Sequence, residues 1–218
     1  DLLIGKTAIN KLKSSKIIVI GVGGVGGITS EMLVRSGIGE ITIVDFDKIS
    51  PSNINRQIMA FEDNIGKLKV DELATRLKAI NSKLKVNTVS EKLCEENLEK
   101  YNLKSYDFII DAIDSVKDKL ALIKYAYNNK IKIISAMGTG NKICAPSYEI
   151  VDIFKTQNDG LAKVMRKLLK ENGIKSHKVC YSKQDKLSVK GLGSVVWHPT
   201  ACACVIVSEV INELIKES

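Results

Sequence analysis

The sequence predicts an α/β fold: a Rossmann-like, mostly parallel sheet covered by helices on both faces. Over the first 140 residues, short apolar runs of strand length alternate with segments of helical periodicity, which is the pattern of successive βαβ units. The first apolar run also leads directly into a glycine-rich turn at residues 21–26. After residue 140 the alternation stops, and we expect short antiparallel strands and a closing helix there.

The elements of the first half follow from the spacing of apolar residues. Residues 67–80 have the three- and four-residue spacing of an amphipathic helix. In order, we expect a helix over 1–15, a strand over 17–20, a helix over 25–36, a strand over 41–44, the helix over 67–80 and a less buried strand over 86–89. The apolar side of the first helix should consist of Leu2, Leu3, Ile4, Ile9 and Leu12.

The second half completes the sheet and adds an extension. The predicted elements are a polar helix over 94–102, a strand over 108–110 ending at Asp111, a helix over 117–129, a strand over 131–134, short strands over 148–154 and 178–181 flanking a basic helix over 161–170, and a closing helix over 200–215. Residues 183–194 are polar and lysine-rich, so we expect them to be mobile. We treat residues 1–218 as a single adenylating domain, with a nucleotide-binding core over 1–140 and a substrate-side extension over 141–218.

Composition narrows the class of protein. The 218 residues are 44% apolar and 27% charged, as in soluble globular proteins. The five cysteines form no Cys-x-x-Cys pair, which fits a reducing cytoplasm and argues against a structural zinc site. No apolar run approaches the roughly 20 residues that span a bilayer, so no membrane partner is expected. The net charge of +8 fits either simple solubility or a polyanionic partner such as nucleic acid.

The glycine turn indicates a nucleotide site. Gly21, Gly23, Gly24 and Gly26 stand between a strand and a helix, where backbone N–H groups can approach phosphate. The next strand ends in Asp45, where a carboxylate can accept hydrogen bonds from ribose hydroxyls. Taken alone, these features favour a dinucleotide such as NAD or FAD.

Further polar residues favour a triphosphate instead. Asn53, Asn55 and Arg56 follow the second strand, and Lys69 stands near the start of the next predicted helix; a guanidinium and amides suit the charge of a triphosphate. Asp111 and Asp114 close a later strand, where carboxylates can hold Mg²⁺ together with nucleotide phosphates. Capping of the next helix is the alternative role for Asp114.

Together these motifs resemble the adenylating superfamily of the ubiquitin-activating enzymes and their bacterial relatives, in which ATP activates a carboxylate as an acyl adenylate. The resemblance covers roughly residues 1 to 215. It rests on the glycine turn, Asp45, Asp47, the Asn53-x-Asn55-Arg56-Gln57 cluster, Gly66-Lys67-x-Lys69 and Asp111-x-x-Asp114. It implies Asp45 on the ribose, Asn53 and Arg56 near phosphates, Lys69 on the phosphates, and Asp114 at Mg²⁺ and the reacting centre, with Arg56, Lys69 and Asp114 as the catalytic set.

One branch of that superfamily is the most similar. Relatives that adenylate carrier proteins usually hold zinc with two Cys-x-x-Cys pairs, which this chain lacks. The runs Ser36-Gly37-Ile38-Gly39, Asp111-Ala112-Ile113-Asp114-Ser115 and Gly138-Thr139-Gly140-Asn141-Lys142 look like the tRNA threonylcarbamoyladenosine dehydratases. That resemblance implies a tRNA substrate and a homodimer, and it leaves room for a sulfur-trafficking partner protein. Adenylation of a ubiquitin-like sulfur carrier and a NAD-binding Rossmann protein remain the alternatives.

Two groups outside the nucleotide site complete the sequence-based hypotheses. Lys163, Arg166, Lys167 and Lys170 fall along one broad helix face, which could dock tRNA phosphates or simply be solvated. Cys202 and Cys204, two residues apart in the closing helix, are expected to be core residues rather than catalytic thiols. Neither His177 nor His198 is placed by the sequence at the nucleotide site.

Overall fold

The computed structural model describes residues 2–216, and within them seven strands form one sheet. The strands are β1 (Lys16–Ile20), β2 (Glu40–Val44), β3 (Lys85–Val89), β4 (Phe108–Asp111), β5 (Ile133–Ala136), β6 (Glu149–Asp152) and β7 (Lys178–Tyr181). They lie in the order β3-β2-β1-β4-β5-β7-β6. Neighbouring strands are parallel except β6, which is antiparallel to β7. The predicted fold class is confirmed, including the antiparallel addition after residue 140.

Helices cover both faces of this sheet. They are α1 (Gly5–Ser14), α2 (Gly24–Arg35), α3 (Lys69–Ile80), α4 (Val116–Asn128), α5 (Gly160–Glu171) and α6 (Trp197–Lys216). The alternation within β1 shows why two layers form, since Ile17 and Val19 pack under α1, α2, α3 and α6, whereas Ile18 and Ile20 pack on the side of α4. Each strand thus buries apolar side chains in both directions, as parallel sheets require.

The closing helix α6 packs on the sheet as expected. Ile206, Val207 and Val210 are buried in the main core cluster, with Val205 and Ile211 packed against it. By length and composition, α6 is the one helix within residues 2–216 that could cross a membrane. Its apolar composition is accounted for by this packing in the core.

Three local predictions were wrong. Strand β5 begins at Ile133 rather than at residue 131, because Ile131 donates its N–H back to Ala126 O and still closes the end of α4. The polar helix near residue 94 is a 3₁₀ helix over Glu95–Tyr101. Helix α1 starts at Gly5, so Leu2 and Leu3 precede it and are exposed instead of joining its apolar side; residue 1 lies outside the described part.

The parallel strands bring the functional segments to one edge. The carboxyl ends of β1, β2, β4 and β5 lie side by side in the sheet, and each leads into a loop. Those loops contain the glycine turn, the residues after Val44, residues 112–115 and residues 137–140. Ligands of open α/β sheets bind at this edge.

Candidate active site

A cavity of about 690 Å³ opens at the carboxyl edge of the sheet. Its wall includes Gly21, Gly23, Gly24, Asp45, Asp47, Asn53, Arg56, Gln57, Lys69, Asp114 and residues 136–140. That volume lies within the usual range of small-molecule sites. Most of the nucleotide-binding residues expected from the sequence therefore share one cavity, and Gly26 and Asn55 do not line it.

The glycine turn needs its glycines for two different reasons. Gly21 has φ +84°, and a Cβ there would stand 2.7 Å from the Ala112 carbonyl oxygen, so both conformation and space exclude a side chain. A Cβ on Gly26 would stand 1.8 Å from the Gly21 carbonyl oxygen. Gly26 thus allows α2 to pack against the turn, while Gly23 and Gly24 face the cavity.

Asp45, directly after β2, forms a hydrogen bond with the glycine turn. One carboxylate oxygen accepts the Val22 N–H at 2.8 Å, and the other accepts the Asp47 N–H at 2.8 Å. Burial raises the pKa of Asp45, while these hydrogen bonds and the nearby Lys69 charge act in the opposite direction. A carboxylate oxygen can accept more than one hydrogen bond, so Asp45 can still receive a ribose hydroxyl from the cavity.

Lys69 and Asp47 form an ion pair on the cavity wall. The Lys69 ammonium, on a nearly buried side chain, lies 2.6 Å from the carboxylate of half-exposed Asp47. Lys69 is the first residue of α3, and its backbone N–H donates to the Asp47 carbonyl oxygen at 3.1 Å. The pair holds a buried cation at the place where phosphate would lie, with a carboxylate that an incoming anion could displace.

The polar loop after β2 supplies a guanidinium and an amide to the cavity. Arg56 donates to the Ser52 carbonyl oxygen at 2.8 Å and to the Asn55 side-chain oxygen at 2.9 Å. Asn53 is buried, and its side-chain oxygen accepts the Ser50 N–H at 3.1 Å. Asn55 lies outside the cavity wall and donates instead to the Ser194 carbonyl oxygen at 2.9 Å. Its position corrects the expectation that it binds the nucleotide directly.

Gln57 is a site residue to which the sequence analysis gave no role. It is buried, lines the cavity, and its side-chain oxygen has no hydrogen-bond partner within the described chain. An unpartnered buried carbonyl costs free energy unless a ligand or water satisfies it. Its place beside Arg56 in the sequence was the available signal.

The two aspartates after β4 have different environments. Asp111 is fully buried, with one oxygen 2.7 Å from the Lys119 ammonium and 2.5 Å from the Ser135 hydroxyl. Its other oxygen accepts the Ile113 N–H at 3.0 Å. Asp114 is exposed and lines the cavity. A metal role for Asp111 is therefore wrong, because its oxygens are committed to the core, whereas Asp114 faces the site.

A second ion pair on the cavity wall was not predicted from the sequence. Lys92 lies 3.0 Å from the carboxylate of nearly buried Asp118, and both residues line the cavity beside Glu91. The Asp118 carboxylate raises the pKa of Lys92. Lys92 follows β3, and Asp118 lies in the first turn of α4. A single charged residue at such a position normally indicates a solvent-exposed side chain, so the sequence did not indicate this pair.

The remaining candidates lie outside the cavity wall. Lys163, Lys167 and Lys170 are exposed on α5, but half-buried Arg166 donates to the Thr156 carbonyl oxygen at 2.9 Å and to its hydroxyl. Arg166 is thus turned away from the solvated face on which the sequence placed it. Lys167 also pairs with Glu171 at 3.9 Å, one helical turn further on.

The cysteines and histidines are structural in their contacts. Cys202 is buried with its sulfur 3.5 Å from that of Cys180, as expected of a core residue. Cys204 is exposed, so its predicted core position is wrong; positions two apart on a helix face different directions. His177 and His198 are buried away from the cavity wall. Within residues 2–216, no group of three or more His, Cys, Asp or Glu side chains could by itself hold a metal ion.

Known proteins share both sequence and fold with this chain. A family model described as the ThiF family matches residues 2–216. The tRNA threonylcarbamoyladenosine dehydratase of Haemophilus influenzae is 42% identical over 162 residues, 74% of this chain and 62% of that protein. The same-named protein of Bacillus subtilis is 39% identical over 175 residues, 80% of this chain and 69% of that protein. The chain thus spans less than two thirds of the length of the first of these relatives.

Solved structures extend the comparison to the whole described fold. Escherichia coli TcdA, a tRNA N6-threonylcarbamoyladenosine dehydratase crystallised in complexes with AMP and with ATP, matches with a TM-score of 0.94 and 32% identity over 99% of this chain and 92% of that chain. A molybdopterin-synthase adenylyltransferase of Haemophilus influenzae is 33% identical over 125 residues, 57% of this chain and 51% of that protein.

Proposed function

This chain belongs to the ThiF family, and on that premise we propose that it is an ATP-dependent tRNA threonylcarbamoyladenosine dehydratase. One observation carries the proposal: a single cavity brings together the glycine turn, Arg56, Lys69 and Asp114. Two cations and a carboxylate beside a phosphate-binding turn suit a nucleotide whose phosphates react. Because the E. coli TcdA structures are complexes with ATP and AMP, ATP is the nucleotide we expect here.

The reaction would proceed in two steps. An oxygen of the threonyl carboxylate attacks the α-phosphorus of ATP, a new P–O bond forms, and pyrophosphate leaves. A nucleophilic atom of the carbamoyl group of the same substrate then attacks the acyl carbon, the ring closes, AMP leaves, and a proton is lost to solvent. Proximity favours this second step because nucleophile and acyl group belong to one molecule. The product is the tRNA lighter by one water.

The residues that line the cavity would have different roles in binding and reaction, according to their positions. Asp45 would receive the ribose, and Gly21, Gly23 and Gly24 would let backbone N–H groups approach the phosphates. Arg56 and Lys69 would stabilise the negative charge that builds on the phosphates in the first step. Asn53 accepts the Arg56 N–H through its carbonyl oxygen and would help to fix the loop that carries the guanidinium, while Asp47 would pair with Lys69 until phosphate displaces it.

Asp114 is the residue that fits a magnesium ion. Its exposed carboxylate faces the cavity, and Mg²⁺ in nucleotide sites is commonly held by one or two carboxylates together with phosphate oxygens and water. A bound Mg²⁺ would neutralise phosphate charge. Without a nucleotide, one carboxylate is a weak site, so we expect metal and ATP to bind together.

The wider organisation follows from the same proposal. We expect residues 1–140 to bind the nucleotide and residues 141–218 to meet the tRNA, and the exposed α5 lysines Lys163, Lys167 and Lys170 are one candidate surface for its phosphates. A homodimer, a cytoplasmic location and a sulfur-trafficking partner protein are expectations from the resemblance to the dehydratases. The free cysteines fit a reducing compartment.

A mass measurement tests the proposal. Purified protein with ATP, Mg²⁺ and threonylcarbamoylated tRNA should release AMP and yield a modified nucleoside lighter by one water. An unchanged nucleoside mass would overturn the proposal. Replacing the tRNA with a ubiquitin-like sulfur carrier tests the competing reaction, adenylation of that carrier. The similarity to a molybdopterin-synthase adenylyltransferase is the reason for this test. A binding comparison of ATP with NAD tests the remaining alternative.

A further inference from the structure

Residues 183–194, which we call the lysine segment, form one wall of the cavity. Lys186, Leu192 and Ser194 line the same cavity as the glycine turn. Two glycines at the end of β5 make room for this wall. A Cβ on Gly138 would stand 3.0 Å from the Lys186 ammonium, and one on Gly140 would stand 2.5 Å from the Leu192 side chain. The lysine segment therefore lies at the mouth of the cavity, where a substrate would enter beside the nucleotide.

The lysine segment has no regular secondary structure, yet Asn141, in the loop after β5, makes four hydrogen bonds to it. Asn141, with φ +59°, donates its N–H to the Gly193 carbonyl at 2.8 Å and accepts the Leu187 N–H at 2.7 Å. Its side chain donates to the Gly191 carbonyl at 3.0 Å and accepts the Gly193 N–H at 2.6 Å. These four bonds give a polar loop a defined shape, which is unexpected for a segment predicted to be mobile.

The exposed chemistry of the lysine segment fits nucleic acid. Lys183, Lys186 and Lys190 are exposed, and none of them forms an ion pair with the described part of the chain. In the same segment, Leu187 is 45% and Leu192 is 82% exposed. Cations beside exposed apolar side chains suit an unpaired strand, because the cations attract its phosphates and the apolar side chains can contact bases that a duplex would hide.

The size of the cavity excludes double-stranded nucleic acid from it. A cavity of about 690 Å³ that also holds a nucleotide cannot admit a duplex, so a reacting base must enter from an unpaired loop. Helix α5 is the rival surface, but Arg166 is bonded to Thr156, Lys167 pairs with Glu171, and none of its four basic residues lines the cavity. The lysines of the segment at the cavity mouth have no such partners.

We propose that the lysine segment is the surface that binds the single-stranded loop of the substrate tRNA, with its three lysines on the phosphates and its exposed apolar side chains against the bases. This inference rests on the proposed function. The carboxamide of Asn55, which binds the Ser194 carbonyl and Arg56, would connect the segment to the phosphate side of the cavity.

Two pairs of substitutions separate the two surfaces. Lys183→Gln with Lys190→Gln removes two charges from the lysine segment, and Lys163→Gln with Lys170→Gln removes the same charge from exposed positions of α5. All four lysines are exposed and none is part of the catalytic set. The measurements are the affinity for threonylcarbamoylated tRNA over a range of salt concentrations and the affinity for ATP.

The lysine-segment pair should weaken tRNA binding about tenfold at low salt and reduce the slope of log K against log salt by about 1.4, for two contacts at roughly 0.7 each on a single strand. The α5 pair should change affinity less than about twofold, and ATP affinity should be unchanged in both. Leu187→Ser, at an exposed side chain that does not line the cavity, should raise the KM for tRNA severalfold without changing that for ATP.

Three results would overturn the inference. They are wild-type tRNA affinity in the lysine-segment pair, a loss confined to the α5 pair, and an equal loss in both pairs, which would indicate a diffuse attraction. Wild-type protein that binds no tRNA and releases no AMP with it would overturn the proposed function itself. If the wild type dehydrates tRNA and only the lysine-segment result fails, the function stands and this surface is wrong.

Discussion

The Lys119 ammonium lies 2.7 Å from the Asp111 carboxylate, and both side chains are fully buried. Removing one partner of a buried ion pair leaves the other charge without compensation, which typically costs about 3–5 kcal/mol. Asp111→Ala should therefore lower the free energy of unfolding by about that amount. Urea unfolding followed by circular dichroism measures it.

Asp114→Ala is the matched control, three residues further along the same loop. Its carboxylate is exposed, so the free energy of unfolding should stay within about 0.5 kcal/mol of the wild type. AMP release with tRNA should be abolished. A stable Asp111→Ala protein, or an active Asp114→Ala protein, would contradict the division of labour between the two aspartates.

Lys69 should contribute to catalysis through charge rather than shape. Its ammonium is held 2.6 Å from Asp47 on the cavity wall, and loss of one stabilising donor typically lowers kcat by about 10²–10³. Lys69→Met keeps most of the buried side chain and should reduce AMP release by that factor. Steady-state kinetics with varied ATP measure the effect.

Asp47→Asn tests the other half of the pair. It removes the carboxylate that competes with phosphate for the Lys69 ammonium, so the KM for ATP should fall or stay constant while the protein remains active. A loss of activity as large as that of Lys69→Met would show that Asp47 acts directly on the substrate or the metal ion.

The contrast between Asp111 and Asp114 shows what apolar patterns can and cannot predict. The strand that ends at Asp111 is evident because the apolar run Phe108-Ile109-Ile110 is typical of a strand buried on both faces of a parallel sheet. Which carboxylate turns inward depends on Lys119, one turn into α4. A lysine in an amphipathic helix usually indicates solvent, and here it is fully buried, so the sequence alone could not separate the two roles.

Segments after residue 140 were harder to predict for a similar reason. Composition correctly indicates that residues 183–194 form no helix or strand. It does not reveal that Asn141, over 40 residues earlier in the chain, donates and accepts four hydrogen bonds there. Long-range bonds between a loop and one distant residue leave no periodic trace, whereas the glycine turn between β1 and α2 is a local pattern that the sequence predicts.

Asn55 should couple the two sides of the cavity. Its carboxamide donates to the Ser194 carbonyl at 2.9 Å and accepts from Arg56 at 2.9 Å. Asn55→Ala removes both contacts, so we expect the KM for tRNA and the KM for ATP each to rise severalfold. Steady-state kinetics with each substrate varied in turn measure this. Asn55→Asp, which keeps an acceptor for Arg56 and loses the donor to Ser194, should raise only the KM for tRNA. Equal effects of the two variants on both constants would contradict the coupling.

His177 should make the fold sensitive to mild acid. Burial, helped by the Lys119 charge and opposed by Asp152, lowers the pKa of His177 to about 3, while an unfolded histidine has a pKa of about 6.5. Below pH 6.5 the unfolded state therefore binds a proton at His177, whereas the folded state does not. The contribution of His177 to the free energy of unfolding is fully present above pH 6.5. It is lost as the pH falls toward 3, with a slope of up to about 1.4 kcal/mol per pH unit.

His177→Gln keeps a polar group beside the Ser135 hydroxyl, which His177 contacts at 2.7 Å, and removes the titration. Its free energy of unfolding should be lower than that of the wild type at pH 7 but should vary less between pH 6.5 and pH 5, a window in which most carboxylates stay ionised. Burial also lowers the pKa of His198, so His198→Gln should remove a further part of the slope and the double variant should be the flattest. Denaturant unfolding at several pH values measures these slopes, and a wild-type slope in His177→Gln would show that the acid sensitivity arises elsewhere.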